Sequence, residues 1–368
     1  MRSNNEYLSP GGLTQNSTQV IYPNGQPATW QTGVPGPQPV VVPSNGIITN
    51  PSNTSADFYI APNFKNPYII QWNIAIQRTL PAGWMLDAAY VGSHGVDTIN
   101  QFNMNAGFIV GAGALGQPEY LSYNRQVATT EFWQGFSSNF QSLQAKVNRR
   151  FSNGFFMTNS FTWQKAMGYQ ADDGGPDDFY INFQRNYSRI PGQDRTLNLV
   201  QSLRYELPWG PGKALLANGI AGKVLGGWLV TGIITSRTGQ PLTFTCPSSL
   251  INAPSNSETC NQVAPLQILH GINVNNQWFS KASFAEPATG VWGATGLGIT
   301  SGPGEFRIDA GLTRIFMFRE RYSLQFRAEA LNLTNTPIFS NPDTNYTDGN
   351  FGYITERYTQ RLRRKRLE

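Results

Sequence analysis

The chain has 368 residues, 13% charged and 12% aromatic, with 37 Gly, 24 Pro, 2 Cys, 2 His and a formal net charge of +5. So few charges beside so many aromatic side chains exclude an intrinsically disordered chain, and the scarcity of Cys and His argues against a disulfide scaffold or a zinc protein. The positive balance is local. Residues 356–368 carry six cations (Arg357, Arg361, Arg363, Arg364, Lys365, Arg366) against Glu356 and Glu368, which leaves the rest of the chain near +1 and provides no broad basic face for nucleic acid.

Residues 1–66 are punctuated by Pro and Gly, as in Gly33-Val34-Pro35-Gly36-Pro37, and read as irregular polypeptide. Met1 to Pro10 contains no apolar stretch of the length a secretory signal peptide requires. From Tyr68 the pattern changes to alternation of period two, the signature of strands with unlike faces. Ile70, Trp72, Ile74 and Ile76 alternate with Gln71, Asn73 and Gln77. After a turn at Pro81-Ala82-Gly83 the pattern resumes as Trp84, Leu86, Ala88 and Tyr90, with Asp87 on the other face. Two such runs around a short Gly-containing turn predict a hairpin.

The unit recurs along the chain. Leu143, Ala145 and Val147 precede a turn at Ser152-Asn153-Gly154, and Phe155, Met157, Phe161 and Trp163 follow it. Leu197, Leu199, Leu203, Tyr205 and Leu207 pair through a longer connection with Trp228, Val230 and Ile234. The segment Leu215 to Thr235 has the length of a membrane helix, but it contains five Gly and a central Lys223. It therefore predicts a turn or short helix leading into a strand. Phe306, Ile308, Ala310 and Leu312 pair last with Leu324, Phe326, Ala328 and Ala330. The connections are unequal: short turns close most hairpins, whereas long links cover roughly Ser93–Phe140, Lys165–Asp194 and Arg237–Glu305.

Loops of that length are uncommon in an ordinary compact domain, but short turns on one side and long loops on the other characterise outer-membrane barrels. The fold expected is therefore all-β: an antiparallel transmembrane β-barrel segment of about eight or nine long strands, each near the 9–11 residues that cross a bilayer at a tilt. Its turns would be periplasmic and its long loops extracellular. Trp72, Trp84, Tyr90, Trp163 and Trp228 suit interfacial aromatic girdles. A soluble sandwich or propeller also alternates apolar and polar positions. The long strands, the charges on their polar faces and the lopsided loops favour the barrel.

Several stretches resemble the barrel of Oar-like TonB-dependent receptors. They are Asn66-Pro67-Tyr68-Ile69-Ile70-Gln71-Trp72-Asn73-Ile74-Ala75-Ile76-Gln77-Arg78, Leu86-Asp87-Ala88-Ala89-Tyr90-Val91-Gly92-Ser93-His94-Gly95, Leu324-Gln325-Phe326-Arg327-Ala328-Glu329-Ala330-Leu331-Asn332-Leu333-Thr334-Asn335-Thr336-Pro337 and Asn350-Phe351-Gly352. The resemblance implies an outer-membrane protein with a carboxypeptidase-regulatory-like domain, a plug and a barrel of about 22 strands. It also implies energy-coupled transport through TonB, and partners that include outer-membrane lipid and the barrel-assembly machinery. Against that pattern the sequence reads as a C-terminal barrel portion over 67–355, preceded by the irregular 1–66 and followed by a basic tail, 356–368, that departs from the family's closing strand. The alternatives are a small autonomous barrel or secreted β-protein acting as an adhesin or binding module, and a carbohydrate-active β-enzyme.

No catalytic constellation or cofactor motif emerges, and the chain is read as non-enzymatic. Ser93 and His94 are adjacent but lack the spacing of a nucleophile elbow. Asp172, Asp173, Asp177 and Asp178, around Gly174-Gly175-Pro176, form an oxygen-rich group that would suit Ca2+ in an outer loop, or simply a solvated charged loop. Cys246 and Cys260 share one loop with 13 residues between them, and an oxidising exterior permits a disulfide, worth about 3 kcal/mol in the chain-entropy view. Lys146, Arg204, Glu206, Arg307, Asp309, Arg327 and Glu329 occupy the polar phase of their strands and would line a lumen.

Overall fold

The computed structural model describes residue 44 and residues 57–169, 186–273, 275–318 and 322–358. The alternating runs become eight long strands: β1 (Tyr68–Leu80), β2 (Trp84–Asn103), β3 (Thr129–Ser152), β4 (Phe155–Gly168), β5 (Leu197–Glu206), β6 (Trp228–Arg237), β7 (Glu305–Phe318) and β8 (Tyr322–Ala330). Each pairs antiparallel with its sequence neighbour, so the sheet is an up-and-down meander. A short strand, Asp57–Ile60, lies parallel to the start of β3, within the stretch whose composition predicts irregular backbone.

Register turns eight separate alternations into two continuous surfaces. Residues directly opposite in a ladder share a face, and one row runs Ile74, Tyr90, Leu143, Trp163, Leu197 across five strands. Nearer the turns, Tyr205, Val230, Leu312 and Ala328 continue the same face. A slip of one residue in any strand would reverse its faces; none occurs through this apolar band. The face is not covered by protein: Ile74 is 71% exposed, Trp163 56% and Leu324 60%. In water such a surface would be an association site, whereas hydrocarbon requires it.

Polar residues interrupt the band in places. Asn159 and Gln201 face each other across β4 and β5, and the Gln201 amide donates to Met157 Sδ at 3.3 Å. Glycine also has a role here. The Trp72 indole lies over Gly92, where a Cβ would come within 2.3 Å of the ring, so the ring packs flat on the strand only because position 92 has no side chain.

The strands are longer than their alternation indicates. β2 has 20 residues and β3 has 24, and about half of the stretch from Ser93 to Phe140 expected as loop is instead strand. Beyond the membrane no lipid requires an apolar face, and Asn103, Thr130, Phe132, Gln134 and Phe136 are buried by protein, so the apolar alternation stops while the ladder continues, with register irregularities between Gly95 and Asn100. The connecting loop is reduced to residues 104–128, which include α1 (Pro118–Tyr123). The Leu215 to Thr235 segment forms α2 (Gly219–Leu225) and then enters β6. No described helix is long and apolar enough to cross a membrane.

The buried core lies at the loop end rather than in the sheet. Phe244, Phe279, Phe284, Phe351, Trp278, Leu242, Ile354 and the two cysteines form one cluster, built from the link between β6 and β7 and from the segment after β8. The loop after β2 is tied to it. The Gly107 and Gly111 amides donate to the carbonyls of Pro254 (2.8 Å) and Ile251 (2.7 Å), and the Asn256 side chain donates to Gly107 O at 3.0 Å. Together these segments make a folded cap.

Candidate functional site: the polar face and the cap

The second face of the sheet carries every charged residue singled out from the polar phase. Lys146 stands opposite Asp87 on β2 and Ser160 on β4. Arg204 stands opposite Phe156 and Thr231, Arg307 opposite Thr235, and Asp309 opposite Ile233. Arg327 and Glu329 extend the face onto β8 opposite Thr313 and Gly311.

All of these charges but Lys146 pair along their own strands. Residues i and i+2 share a face, so a cation and an anion at that spacing meet without leaving the strand. Arg307 Nε lies 3.1 Å from Asp309 Oδ2, and Arg327 Nε donates to Glu329 Oε1 at 2.7 Å. Arg204 approaches Glu206 at 3.7 Å while Lys213 reaches the same carboxylate at 3.0 Å. Half-exposed pairs of this kind contribute little to stability. They keep the face polar and nearly neutral, a surface that water or a hydrophilic solute wets and lipid does not.

At the loop end the charges are denser, and here structure adds what sequence reasoning missed. Arg237 bonds to Glu305 across β6 and β7. Asp194 is fully buried, accepting from the Ala166 amide at 2.9 Å and from Arg189. Arg195 donates to the Thr238 carbonyl at 3.0 Å. Burial, with Arg237 beside it, pushes the Arg195 guanidinium below its usual range, and Glu305 partly opposes the shift. The only sequence signal for this group is that its members flank the ends of alternating runs.

The cap contains Cys246 and Cys260, bonded to each other with Cα atoms 5.0 Å apart. They sit on a small antiparallel pair, Thr245–Cys246 with Glu258–Thr259. Intact protein is expected to gain the mass of two hydrogen atoms on reduction, and to accept two maleimide adducts only afterwards; adducts before reduction would contradict the bridge. A cleft of about 470 Å³ opens beside the cap, lined by His270, Asn273, Asn276, Gln277 and Tyr353 among others. His270 stands edge-on to Trp278 at 5.1 Å.

Ser93 and His94 lie within β2, with His94 opposite Ile70 and Asn139, rather than at a strand end entering a loop. Among the described residues no group of His, Cys, Asp and Glu is placed to hold a metal ion. The acidic group Asp172, Asp173, Asp177 and Asp178 lies outside the described residues, as does the basic tail from 359 onward. Asn332, just after β8, is buried, and its side-chain amide donates to Thr336 O at 2.8 Å.

At the turn end the apolar face finishes in aromatic rings with arginines laid over them. Arg149 lies 5.7 Å from the Trp84 ring and 5.2 Å from Phe155, and Arg314 lies 5.5 Å from Trp228 and 4.2 Å from Phe316. Amphipathic rings and long cations collect where hydrocarbon gives way to headgroups. A meander with an apolar outer face, a self-paired polar inner face and such a rim defines a membrane β-barrel wall. The chain belongs to the outer membrane beta barrel domain family, whose model matches residues 1–366. It is therefore a protein of the bacterial outer membrane.

Among solved structures, the outer membrane transporter YddB from Escherichia coli aligns at 9% identity and a TM-score of 0.45, over 82% of this chain and 33% of that one. BauA, the ferric preacinetobactin receptor from Acinetobacter baumannii, aligns at 10% identity and a TM-score of 0.37, over 76% of this chain and 27% of that one. The chain thus spans about a third or less of the length of these two chains. No curated protein sequence matches it.

Proposed function

We propose that the chain forms part of the wall and the outer cap of a TonB-dependent receptor, which moves a large or scarce solute across the outer membrane without chemically altering it. The observation that carries this reading is the pairing of one apolar and one polar face beneath a folded cap. In this reading Lys146, Arg204, Glu206, Arg307, Asp309, Arg327 and Glu329 line the lumen, where they face a plug or guide solute. The cap and its cleft meet the solute first.

The sheet edges support a larger wall. β1 and β8 each have one long side without a sheet partner among the described residues, and an open sheet edge is not tolerated in hydrocarbon. Further strands, inserted with the help of the barrel-assembly machinery, would close it. Deleting this gene in its source bacterium should reproduce, for one class of nutrient, the growth defect of a strain lacking TonB. Chelated metals, oligosaccharides and peptides would be the panel. Normal growth on every nutrient that the TonB-deficient strain fails to use, with altered surface adhesion instead, would favour the binding-module reading and overturn this one.

A further inference from the structure

The connection between β5 and β6 is the longest at the turn end, and its helix presents apolar residues that nothing among the described residues covers. Ile220 is 81% exposed, Val224 58% and Leu225 46%, and Leu215 just before the helix is 53% exposed. Their positions on α2 are ordered. At 100° per residue, Ile220, Ala221, Val224 and Leu225 occupy one arc about 140° wide. Gly222 and Gly226 fall outside that arc and are buried. A Cβ at Gly226 would come within 2.5 Å of Gly210 Cα, and one at Gly222 within 2.1 Å of Leu216 O. The glycine side packs onto the turn while the apolar arc points away from the protein.

The helix also has a fixed place relative to the sheet. Its carbonyl at Val224 accepts a hydrogen bond from Arg314, whose guanidinium lies over Trp228 and Phe316 on the apolar face. The Leu207 amide donates to Trp228 O at 2.9 Å, closing the base of the connection. The exposed arc of α2 therefore continues the lipid-facing band at its aromatic rim. A surface of apolar side chains joined to that band, at the level of Trp228, has the geometry of an interfacial helix.

We propose that α2 is a membrane-surface anchor: a short helix that lays Ile220, Val224 and Leu225, with Leu215 beside them, into the headgroup and acyl boundary of the inner leaflet of the outer membrane. The occupant of this face is phospholipid. The anchor would fix the depth and tilt of the β5–β6 hairpin, which the Gly-rich connection alone would leave free to rock.

Cysteine accessibility in the intact protein tests this. Ile220→Cys and Val224→Cys are made singly and compared with Asn218→Cys, exposed just before the helix, and with Val230→Cys, on the lipid face of β6. Outer-membrane fragments open on both sides are treated with a charged maleimide, then denatured to confirm that every thiol is present. Burial in an apolar phase disfavours the thiolate, and one unit of thiol pKa corresponds to about tenfold in reactive fraction. Labelling at 220 and 224 is expected to be at least roughly tenfold slower than at 218 and close to that at 230. The purified protein in phospholipid nanodiscs should keep this protection. Labelling at the rate of position 218 in membranes would overturn the proposal; so would protection in membranes that vanishes in nanodiscs, which would assign the face to a periplasmic protein.

Discussion

Replacing Ile234 by Arg is expected to destabilise the barrel by about 2–4 kcal/mol, the cost of a cation on a lipid face near the bilayer midplane, while Ile233→Arg changes stability by less than about 1 kcal/mol. The two isoleucines are adjacent on β6 and differ in the face they occupy. Ile234 sits between Gln201 and Ile308 on the apolar surface; Ile233 sits between Ser202 and Asp309 on the polar one. Arginine at 234 has hydrocarbon around it and a long reach to either rim, whereas at 233 it meets water and the Asp309 carboxylate. Denaturant titration of both variants in lipid vesicles measures the difference. Equal losses would mean that the two faces share one environment, and the membrane orientation of the sheet would be wrong.

Phe244→Ala is expected to cost about 3–5 kcal/mol, the range for truncating a buried phenylalanine, with the loss confined to the cap. Phe244 is fully buried and touches three other rings, with centroids at 4.8 Å (Phe279), 4.1 Å (Phe284) and 6.2 Å (Phe351). These rings come from both segments that supply the cap's core, so the cavity would loosen that core. Hydrogen exchange gives the readout. The amides of Thr245, Cys260 and Thr295, which bond to Thr344 O, Phe244 O and Cys260 O, should lose roughly two to three and a half powers of ten in protection. Amides of β4 and β5 should not change. Unchanged protection at Cys260 would remove Phe244 from its central place, and loss throughout the sheet would show that the cap and the wall fold as one unit.

The parts of this molecule readable from sequence are those in contact with hydrocarbon. Lipid on one side and water on the other force alternation of period two, so Ile70 to Ile76 or Leu324 to Ala330 could be assigned a face from their neighbours alone. Gly95 to Asn103 continues the same ladder beyond the hydrocarbon, where no lipid requires one apolar face, and its composition resembles a loop. The cap was illegible for a different reason: Phe244, Phe279, Phe284 and Phe351 meet across more than a hundred residues, and nothing local marks them as partners. The cysteine pair was an exception, because two thiols in one outward loop have few alternatives in an oxidising setting. On the polar face, the i and i+2 charges were visible as a pattern. Arg237 and Glu305 were not, because they meet only when separate strand ends converge; nor were Arg189 and Asp194, five residues apart, because a turn rather than an alternating run brings them together.

The length of β2 and β3 sets where the cap stands. A strand of 24 residues extends about 80 Å, and at a tilt near 40° it rises about 60 Å, against an apolar band about 25 Å tall. More than half of that hairpin is therefore a stalk beyond the bilayer, and the 104–128 loop at its tip stands clear of the lipid surface. An antibody or protease too bulky to approach the lipid surface would still reach α1, which stands on this stalk.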